Sequence, residues 1–260
     1  MAKSKALAVN DPRSKSLAPL QPWEEEAAKE ARDEKSREVL GVDRITHKAG
    51  QLNLDGKPVA GNKLALIVVD YKFANQWYAS KFQPDVAATP ACYAFGNEEA
   101  GMKPHPAAPQ PQSETCATCP KNVFGTAEMG RGKACQNTRR LLVVVPPKDA
   151  NAFNKTEKRQ LSVPPASLKN WGNLLTAIRD TTRTANIREA VIEVSTEPKG
   201  GAYALTFTQT GTLPTDQFQA VLALRKASEG LLTQPYPTLE DSDAKPAAKP
   251  LGKNARRKLD

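Results

Sequence analysis

The sequence has almost no histidine: His47 and His105 are the only two among its 260 residues. We interpret His47 as structural, because no nucleophile or carboxylate partner stands near it in the sequence. The motifs G-x-S-x-G, H-E-x-x-H and G-x-G-x-x-G are missing, and so is a Walker P-loop. Thr115 precedes the C-x-x-C pair, where zinc deaminases have a proline. We therefore expect a protein that is not an enzyme.

Long apolar runs are missing as well. No segment approaches the roughly 18 apolar residues that a membrane-spanning helix needs. The initial Met-Ala-Lys-Ser-Lys lacks the apolar block of a secretory signal. We therefore expect a soluble cytoplasmic protein with no membrane partner. Disulfides are not expected in such a reducing compartment, so the cysteines need another explanation.

Cysteine is absent outside the segment from residue 92 to residue 135. That segment holds Cys92, then Cys116 and Cys119 in a C-x-x-C pair, then Cys135. A C-x-x-C pair lets two thiolates bind one ion from a tight turn, and two further cysteines complete the usual ligand set of a closed structural zinc site. The sequence therefore predicts one zinc ion bound by these four residues.

Three other interpretations of the cysteines remain open. Four thiolates also ligate iron–sulfur clusters, and the proline directly after Cys119 is a weak indication of one. The cysteines could instead form a redox pair, or stay reduced in a core. His105 could replace Cys92 as the fourth ligand, although the prolines on both sides of it predict a stiff, exposed segment.

The segment between the outer cysteines is poor in core-forming residues. It is rich in glycine and contains prolines at positions 104, 106, 109 and 111. An irregular loop of this length is uncommon in a compact domain unless something holds it. Metal binding would hold it, because it contributes folding free energy directly.

The formal net charge is +9, and the positive charge is not confined to the ends of the chain. Residues 121–159 contain nine Lys or Arg against three acids, so basic residues cluster around and after Cys135. Such a cluster suits a polyanionic partner, with nucleic acid as the first candidate. An ordinary basic surface is the alternative.

The two ends of the chain differ in composition from its middle. Residues 1–21 are rich in Lys, Ser and Pro and predict a disordered basic arm. In residues 22–40, acidic side chains occupy the first turn and basic ones the last, which predicts a helix whose charges complement its dipole. Residues 234–260 are rich in Lys, Pro and Ala and predict a disordered basic tail.

Residues 41–233 carry the periodic patterns of a folded α+β core. The strongest strand pattern is 62–71, and we expect 75–78 to be its hairpin partner. Further strands are expected at 138–145, 190–196 and 202–208, the last two in a hairpin, and helices after Pro164 and after Leu213. The pattern predicts a strand-rich OB-like barrel or sheet, with a four-cysteine metal-bound loop insertion at 92–135 and two C-terminal helices.

Seven of the fifteen aromatic residues fall between positions 71 and 95, with lysines among them. Exposed rings stack on bases at roughly 1–3 kcal/mol each, and neighbouring cations contact phosphates, which together bind single strands. We expect two or three of these rings to be exposed and the others to fill a core. The candidate nucleic-acid-binding residues in this part are Lys72, Phe73, Trp77, Tyr78, Lys81 and Phe82.

A second basic group flanks Cys135. Arg131 and Lys133 precede it in a glycine-rich stretch, where the backbone can approach phosphates closely. Arg139 and Arg140 follow it. Metal binding at Cys135 would hold these four cations on a rigid support, and we expect them to contact phosphates.

With these residues, the chain resembles the single-stranded-DNA-binding proteins of tailed bacteriophages, which have an OB-type core and in some cases a zinc-bound insertion. The resemblance rests on the four cysteines and on the aromatic and basic residues between 71 and 95, and it spans roughly residues 42–230 in outline. It implies non-sequence-specific binding of single-stranded DNA, or of RNA, in replication or recombination. Replication or recombination proteins would be further partners, in the host cytoplasm. The basic tail departs from the acidic tail with which such proteins often recruit partners.

Two other functions remain open. A zinc-containing interaction protein would regulate a polymerase or another host factor without catalysis. A weaker alternative is an iron–sulfur or metal-dependent nuclease.

Overall fold

The structure is a computed structural model, and it describes residues 43–80, 89–128, 131–147 and 150–236. The predicted arm, the predicted N-terminal helix and the tail beyond Tyr236 lie outside these ranges, as do the candidate residues Lys81 and Phe82. Within the described ranges, no helix is long and apolar enough to cross a membrane.

The described part is a strand-rich sheet with two α-helices. The strands are β1 (Asp43–Lys48), β2 (Gln51–Leu54), β3 (Lys57–Pro58), β4 (Lys63–Trp77), β5 (Cys92–Gly96), β6 (Gln136–Val144), β7 (Arg159–Val163), β8 (Ala190–Lys199) and β9 (Ala202–Thr212). The helices are α1 (Leu168–Thr181) and α2 (Thr215–Ala227). This arrangement confirms the predicted α+β class and both predicted helices of the C-terminal half.

The strands form one open sheet in the order β3-β2-β1-β7-β6-β4-β8-β9, and β5 pairs with β4 outside this path. The β1–β7 pair is parallel, and the other pairs are antiparallel. The sheet of the sequence prediction is therefore confirmed. An OB-like barrel is not, because no pairing joins β3 to β9 among the described strands.

Strand β4 is the longest element of the sheet. Along one edge it pairs with β6, and along the other its first half pairs with β8 and its second half with β5. The predicted hairpin between 62–71 and 75–78 is wrong, because both segments belong to this one strand. The intervening Lys72, Phe73 and Ala74 include none of the residues that favour turns, so the strand continues.

Each face of the sheet has its own apolar core. Alternate residues of a strand point to opposite faces, so Leu66 and Val68 lie in a core with Trp171 of α1. Ile67 and Val69 lie in the core that includes residues of α2. Burying a side chain of this kind contributes about 1.5–3 kcal/mol, so apolar packing holds the two helices on opposite faces.

Two elements form where local patterns predict them. Gly200 and Gly201 stand in the turn of the β8–β9 hairpin with φ of 56° and 81°, values that glycine adopts readily because it lacks a Cβ. Trp171, Leu174 and Ile178, which share one side of the predicted helix, are the buried residues of α1. Local sequence therefore determines both elements.

Candidate metal centre and nucleic-acid interface

The four cysteines come from distant parts of the loop and line one pocket. Cys92 begins β5, Cys116 and Cys119 stand in the irregular segment, and Cys135 directly precedes β6. Strand pairing explains why they converge. Strands β5 and β6 flank β4 on its two edges, so Cys92 lies next to Trp77 and the chain enters β6 beside the same end of β4.

Hydrogen bonds hold the irregular segment around the pocket. The Cys116 N–H donates to the Met102 carbonyl (2.9 Å), and the Cys135 N–H donates to the Lys121 carbonyl (2.8 Å). The Asn122 side chain donates from Nδ2 to the Cys116 carbonyl (2.9 Å). These bonds position the backbone from which the thiols project.

Burial raises the pKa of the Cys92, Cys116 and Cys135 thiols above the ordinary value, for Cys135 to about 12. Neighbouring cysteines of the group raise these pKa values further, because one thiolate would repel the next. Such thiols are protonated at neutral pH and are poor nucleophiles. The raised pKa of Cys116 therefore does not favour this member of the C-x-x-C pair as a redox nucleophile.

The donor set fits zinc in kind, because four soft sulfur ligands around one pocket match a closed tetrahedral site. As the side chains are placed, no group of three or more Cys, His, Asp or Glu among the described residues is arranged to hold a metal ion. Metal binding would therefore require the thiols to come closer together.

His105 is not a member of this donor group. Its ring stacks on Tyr93 with 5.1 Å between the ring centroids. Its Nδ1 accepts a hydrogen bond from the Ala107 N–H (3.1 Å). The structure therefore does not support the alternative in which His105 replaces Cys92.

Three aromatic rings near the pocket each carry a cation over one face. The distances to the ring centroids are 3.6 Å from Arg139 Cζ to Phe73, 5.2 Å from Lys121 Nζ to Trp77 and 5.0 Å from Lys133 Nζ to Phe124. Such cation–π pairs contribute about 0.5–1 kcal/mol at exposed sites. They hold three positive charges close to the four cysteines.

The expectation that two or three rings between positions 71 and 95 are exposed is wrong. Phe82 lies outside the described residues, and none of the other six is exposed. Tyr93 is buried, and the half-buried rings are Tyr71, Phe73, Trp77, Tyr78 and Phe95. The Tyr78 hydroxyl, for example, donates to Gln76 Oε1 (3.1 Å). Tyr71 packs on Trp171 of α1, with 5.6 Å between the ring centroids, and Tyr93 and Phe95 pack on each other and on Tyr236.

Arg140, a predicted phosphate contact, is buried in the sheet with 4% of its surface exposed. Its guanidinium stacks on Phe95 and Tyr236, at 4.4 and 5.1 Å from the ring centroids. It donates to Gln160 Oε1 (2.9 Å) and to the Gln234 carbonyl (3.4 Å), so the first residues of the predicted tail pack here. This is the position of a structural arginine, because the rings cover the guanidinium.

The two other predicted cations of the sheet lie on opposite faces. Arg139 shares a face with Phe73, its partner across the β4–β6 ladder, and pairs with Glu99 (3.2 Å). Lys72 lies on the other face, pairs with Asp70 (3.4 Å) and donates to the Asn97 side chain. Only 13% of the Arg139 side chain and 17% of the Lys72 side chain are exposed, so protein contacts largely cover both cations.

Val123 and Phe124 are exposed apolar residues near the pocket that the sequence analysis did not single out. They are 55% and 77% exposed, and Phe124 bridges to Lys133 within residues 119–128 and 131–135, which we call the knuckle. Arg131 is exposed on the same knuckle. The signal in the sequence was an apolar pair inside a stretch rich in glycine and basic residues, where no core pattern accounts for it.

One end of the sheet thus brings together the four cysteines, the three cation–ring pairs and the exposed Phe124. Arg140 is packed away from solvent, and Lys81 and Phe82 lie outside the described residues. Comparison with protein-family models, with curated proteins and with solved structures finds no significant match for this chain.

Proposed function

We propose that this protein binds single-stranded nucleic acid, and DNA in particular, without sequence specificity. The placement of Phe124 carries the proposal: its ring is 77% exposed on the knuckle, with Lys133 Nζ 5.0 Å from its centroid. An unpaired nucleotide offers both groups that such a site can bind, because its base is flat and apolar and its phosphate is negative.

The knuckle would divide its contacts between bases and phosphates. Stacking of one base on Phe124 is worth about 1–3 kcal/mol. Lys121, Arg131 and Lys133 belong to the same short segment and would neutralise neighbouring phosphates. Neither contact depends on which base is present, so binding without sequence preference follows.

We propose further that Cys92, Cys116, Cys119 and Cys135 hold one structural zinc ion. Zinc contributes folding free energy at such a site and takes part in no reaction. Because Cys119 and Cys135 are the two ends of the knuckle, an ion between them would fix the segment that carries Phe124. An iron–sulfur cluster is the alternative, and the visible absorbance of the purified protein distinguishes the two.

Fluorescence titration of labelled oligo-dT and of duplex DNA, each at two salt concentrations, tests the proposal. We expect tighter binding to oligo-dT, with an affinity that falls steeply with salt because phosphate contacts release counterions. Phe124→Ala should weaken oligo-dT binding by about 1–3 kcal/mol, whereas the control Val123→Ala should not, because valine has no ring to stack. Equal affinity for duplex, or binding that ignores salt, would contradict the proposal. A parallel titration with oligo-rU separates DNA from RNA.

The exposure of Val123 beside Phe124 favours one other function, a zinc-containing interaction protein that regulates a polymerase or another host factor. Adjacent exposed apolar side chains form a patch that a protein partner can cover. In that case Val123→Ala and Phe124→Ala would both weaken the complex, and the wild-type protein would not bind oligo-dT. A pull-down from nuclease-treated lysate with wild type and both variants measures this outcome.

The proposed activity is binding, with no catalytic step. The resemblance to phage single-stranded-DNA-binding proteins and their OB-type core agrees with this function and remains a prediction. Replication or recombination proteins as partners remain a prediction too.

A further inference from the structure

The edge of β4 has a gap between two of its partner strands. Strand β8 pairs with residues 63–67 of β4, and β5 pairs with residues 73–77. On this edge, residues 68–72 have neither β5 nor β8 beside them. On the opposite edge, the pairing of β4 with β6 is irregular between Val68 and Asp70, and such a bulge re-aims the side chains. We call this gap the notch.

Arg188, which stands just before β8, reaches into the notch. Its Nε donates to the Val69 carbonyl (2.8 Å), and its Nη2 donates to Asp70 Oδ1 (2.7 Å). Its Nη1 donates to Asn186 Oδ1 (3.3 Å). Three acceptors thus fix the guanidinium, whose side chain is only 13% exposed, and it forms a rigid wall of the notch.

Two further cations contact the same carboxylate. Lys72 Nζ is 3.4 Å from Asp70 Oδ2, and Arg225 Nε, from the last turn of α2, is 3.3 Å from Asp70 Oδ1. With Arg188 these are three positive charges against one negative, so the group has a net charge of +2. Burial alone would raise the pKa of Asp70, but the three cations outweigh it and hold the pKa below its ordinary value, so Asp70 is ionised at neutral pH.

Arg225 is accessible to an anion from solvent, whereas Lys72 and Arg188 expose only 17% and 13% of their side chains. Arg225 is 48% exposed, and its two Nη groups donate to no described residue, since only its Nε contacts Asp70. Neutralising one carboxylate takes one cation, and Arg188 alone supplies it. The planar donor fork of an arginine matches phosphate oxygens. Arg225 is therefore positioned to bind a phosphate.

We infer that the notch binds a phosphate of the nucleic-acid backbone through Arg225, which Asp70 positions, while Arg188 and Lys72 add positive charge beside it. This inference rests on the proposed function and adds a second contact to it. Residues 72 and 73 point to opposite faces of β4, and Phe73 carries Arg139 over its ring near the four cysteines. A single strand bound at the knuckle would thus reach the notch by crossing this edge of the sheet.

The salt dependence of oligo-dT binding tests the notch with a matched pair of variants in the full chain. Arg225→Gln removes a positive charge from the notch. Lys226→Gln removes the positive charge of the next residue of α2, an exposed lysine outside the cluster. We expect Arg225→Gln to reduce the slope of log K against log salt by about 0.7, the value of one phosphate contact on a single strand. Lys226→Gln should leave the slope unchanged.

The outcomes separate this inference from the proposed function. Equal slopes for the two variants would overturn the phosphate site and leave the knuckle as a binding surface. A wild-type protein that does not bind oligo-dT would overturn both the phosphate site and the proposed function. Thermal unfolding checks that the variants fold, and Arg225→Ala, with the same expected change in slope, replaces Arg225→Gln if that variant does not.

Discussion

Replacing Cys135 by serine tests the proposed metal centre directly. The side chain is buried, with 8% of its surface exposed, and it stands where the loop joins β6. Serine has nearly the same size, but its hydroxyl does not replace a thiolate as a zinc ligand. We expect wild-type protein to contain about one zinc ion per chain, as a closed four-cysteine site does, and Cys135→Ser to lose it.

Little apolar packing would hold the loop without zinc. The cluster beneath it consists of Ala94, Met102 and Cys116, with Phe73 against them, and burying one large side chain contributes about 1.5–3 kcal/mol. Structural zinc contributes about 10–16 kcal/mol in zinc-finger peptides. Neither large core of the described sheet contains a residue of the loop. Loss of zinc is therefore expected to unfold the loop and leave the sheet folded.

Limited trypsin digestion, together with thermal unfolding, separates these two events. Cleavage at Lys103, Lys121 and Lys133 should become much faster in Cys135→Ser and in chelator-treated wild type, while the unfolding midpoint of the sheet should hardly change. Ser113→Ala is the matched control, because Ser113 lines the same pocket and supplies no sulfur. Wild-type protein that contains no zinc when purified without chelators, or equal cleavage of the two variants, would refute the reasoning.

Two further predictions concern the cores and the charged cluster. In urea denaturation, Trp171→Ala should lower the free energy of unfolding by about 3–5 kcal/mol. Trp171→Phe should lower it by less than Trp171→Ala does, because the phenyl ring leaves a smaller cavity and the indole Nε1 has no hydrogen-bond partner among the described residues; equal losses would contradict this. Asp70→Asn should lower it by about 1.5–3 kcal/mol at neutral pH, because it weakens charged hydrogen bonds from Arg188 and Arg225. The folded-state pKa of Asp70 is lowered, so its stabilisation is present above the unfolded pKa of about 3.9 and is lost as the pH falls through the folded pKa. The difference between wild type and Asp70→Asn should therefore shrink on acidification, and a difference that stays constant with pH would count against it.

Local patterns were sufficient for the elements that depend on near neighbours. The apolar spacing of α1 and the glycine turn between β8 and β9 each involve a few consecutive residues, so the sequence predicts them. The continuation of β4 through Phe73 was missed, because a strand that pairs with three others is stabilised by residues far away in the chain. The topology that places β5 and β8 on one edge of β4, and so creates the notch, is not visible in any short segment.

The candidate site shows the same division. Its cysteines could be found in the sequence, because a structural zinc site uses four ligands of few residue types, two of them often in a C-x-x-C pair. Its exposed ring could not, because Phe124 belongs to no periodic pattern and its exposure depends on what packs over the knuckle. Asp70 meets Arg188 and Arg225 across 118 and 155 residues of chain, and no sequence pattern relates them.

By itself the sequence determined the α+β class, the grouping of all cysteines in one loop and the basic character of the residues around Cys135. Only the tertiary structure decided which of those residues a ligand can reach. Arg139 and Arg140 are adjacent in the sequence, yet alternate residues of a strand point to opposite faces, so Arg140 is enclosed by rings while Arg139 covers Phe73. The physical reason is that exposure and electrostatic environment are set by neighbours in space, and most of these neighbours are distant along the chain.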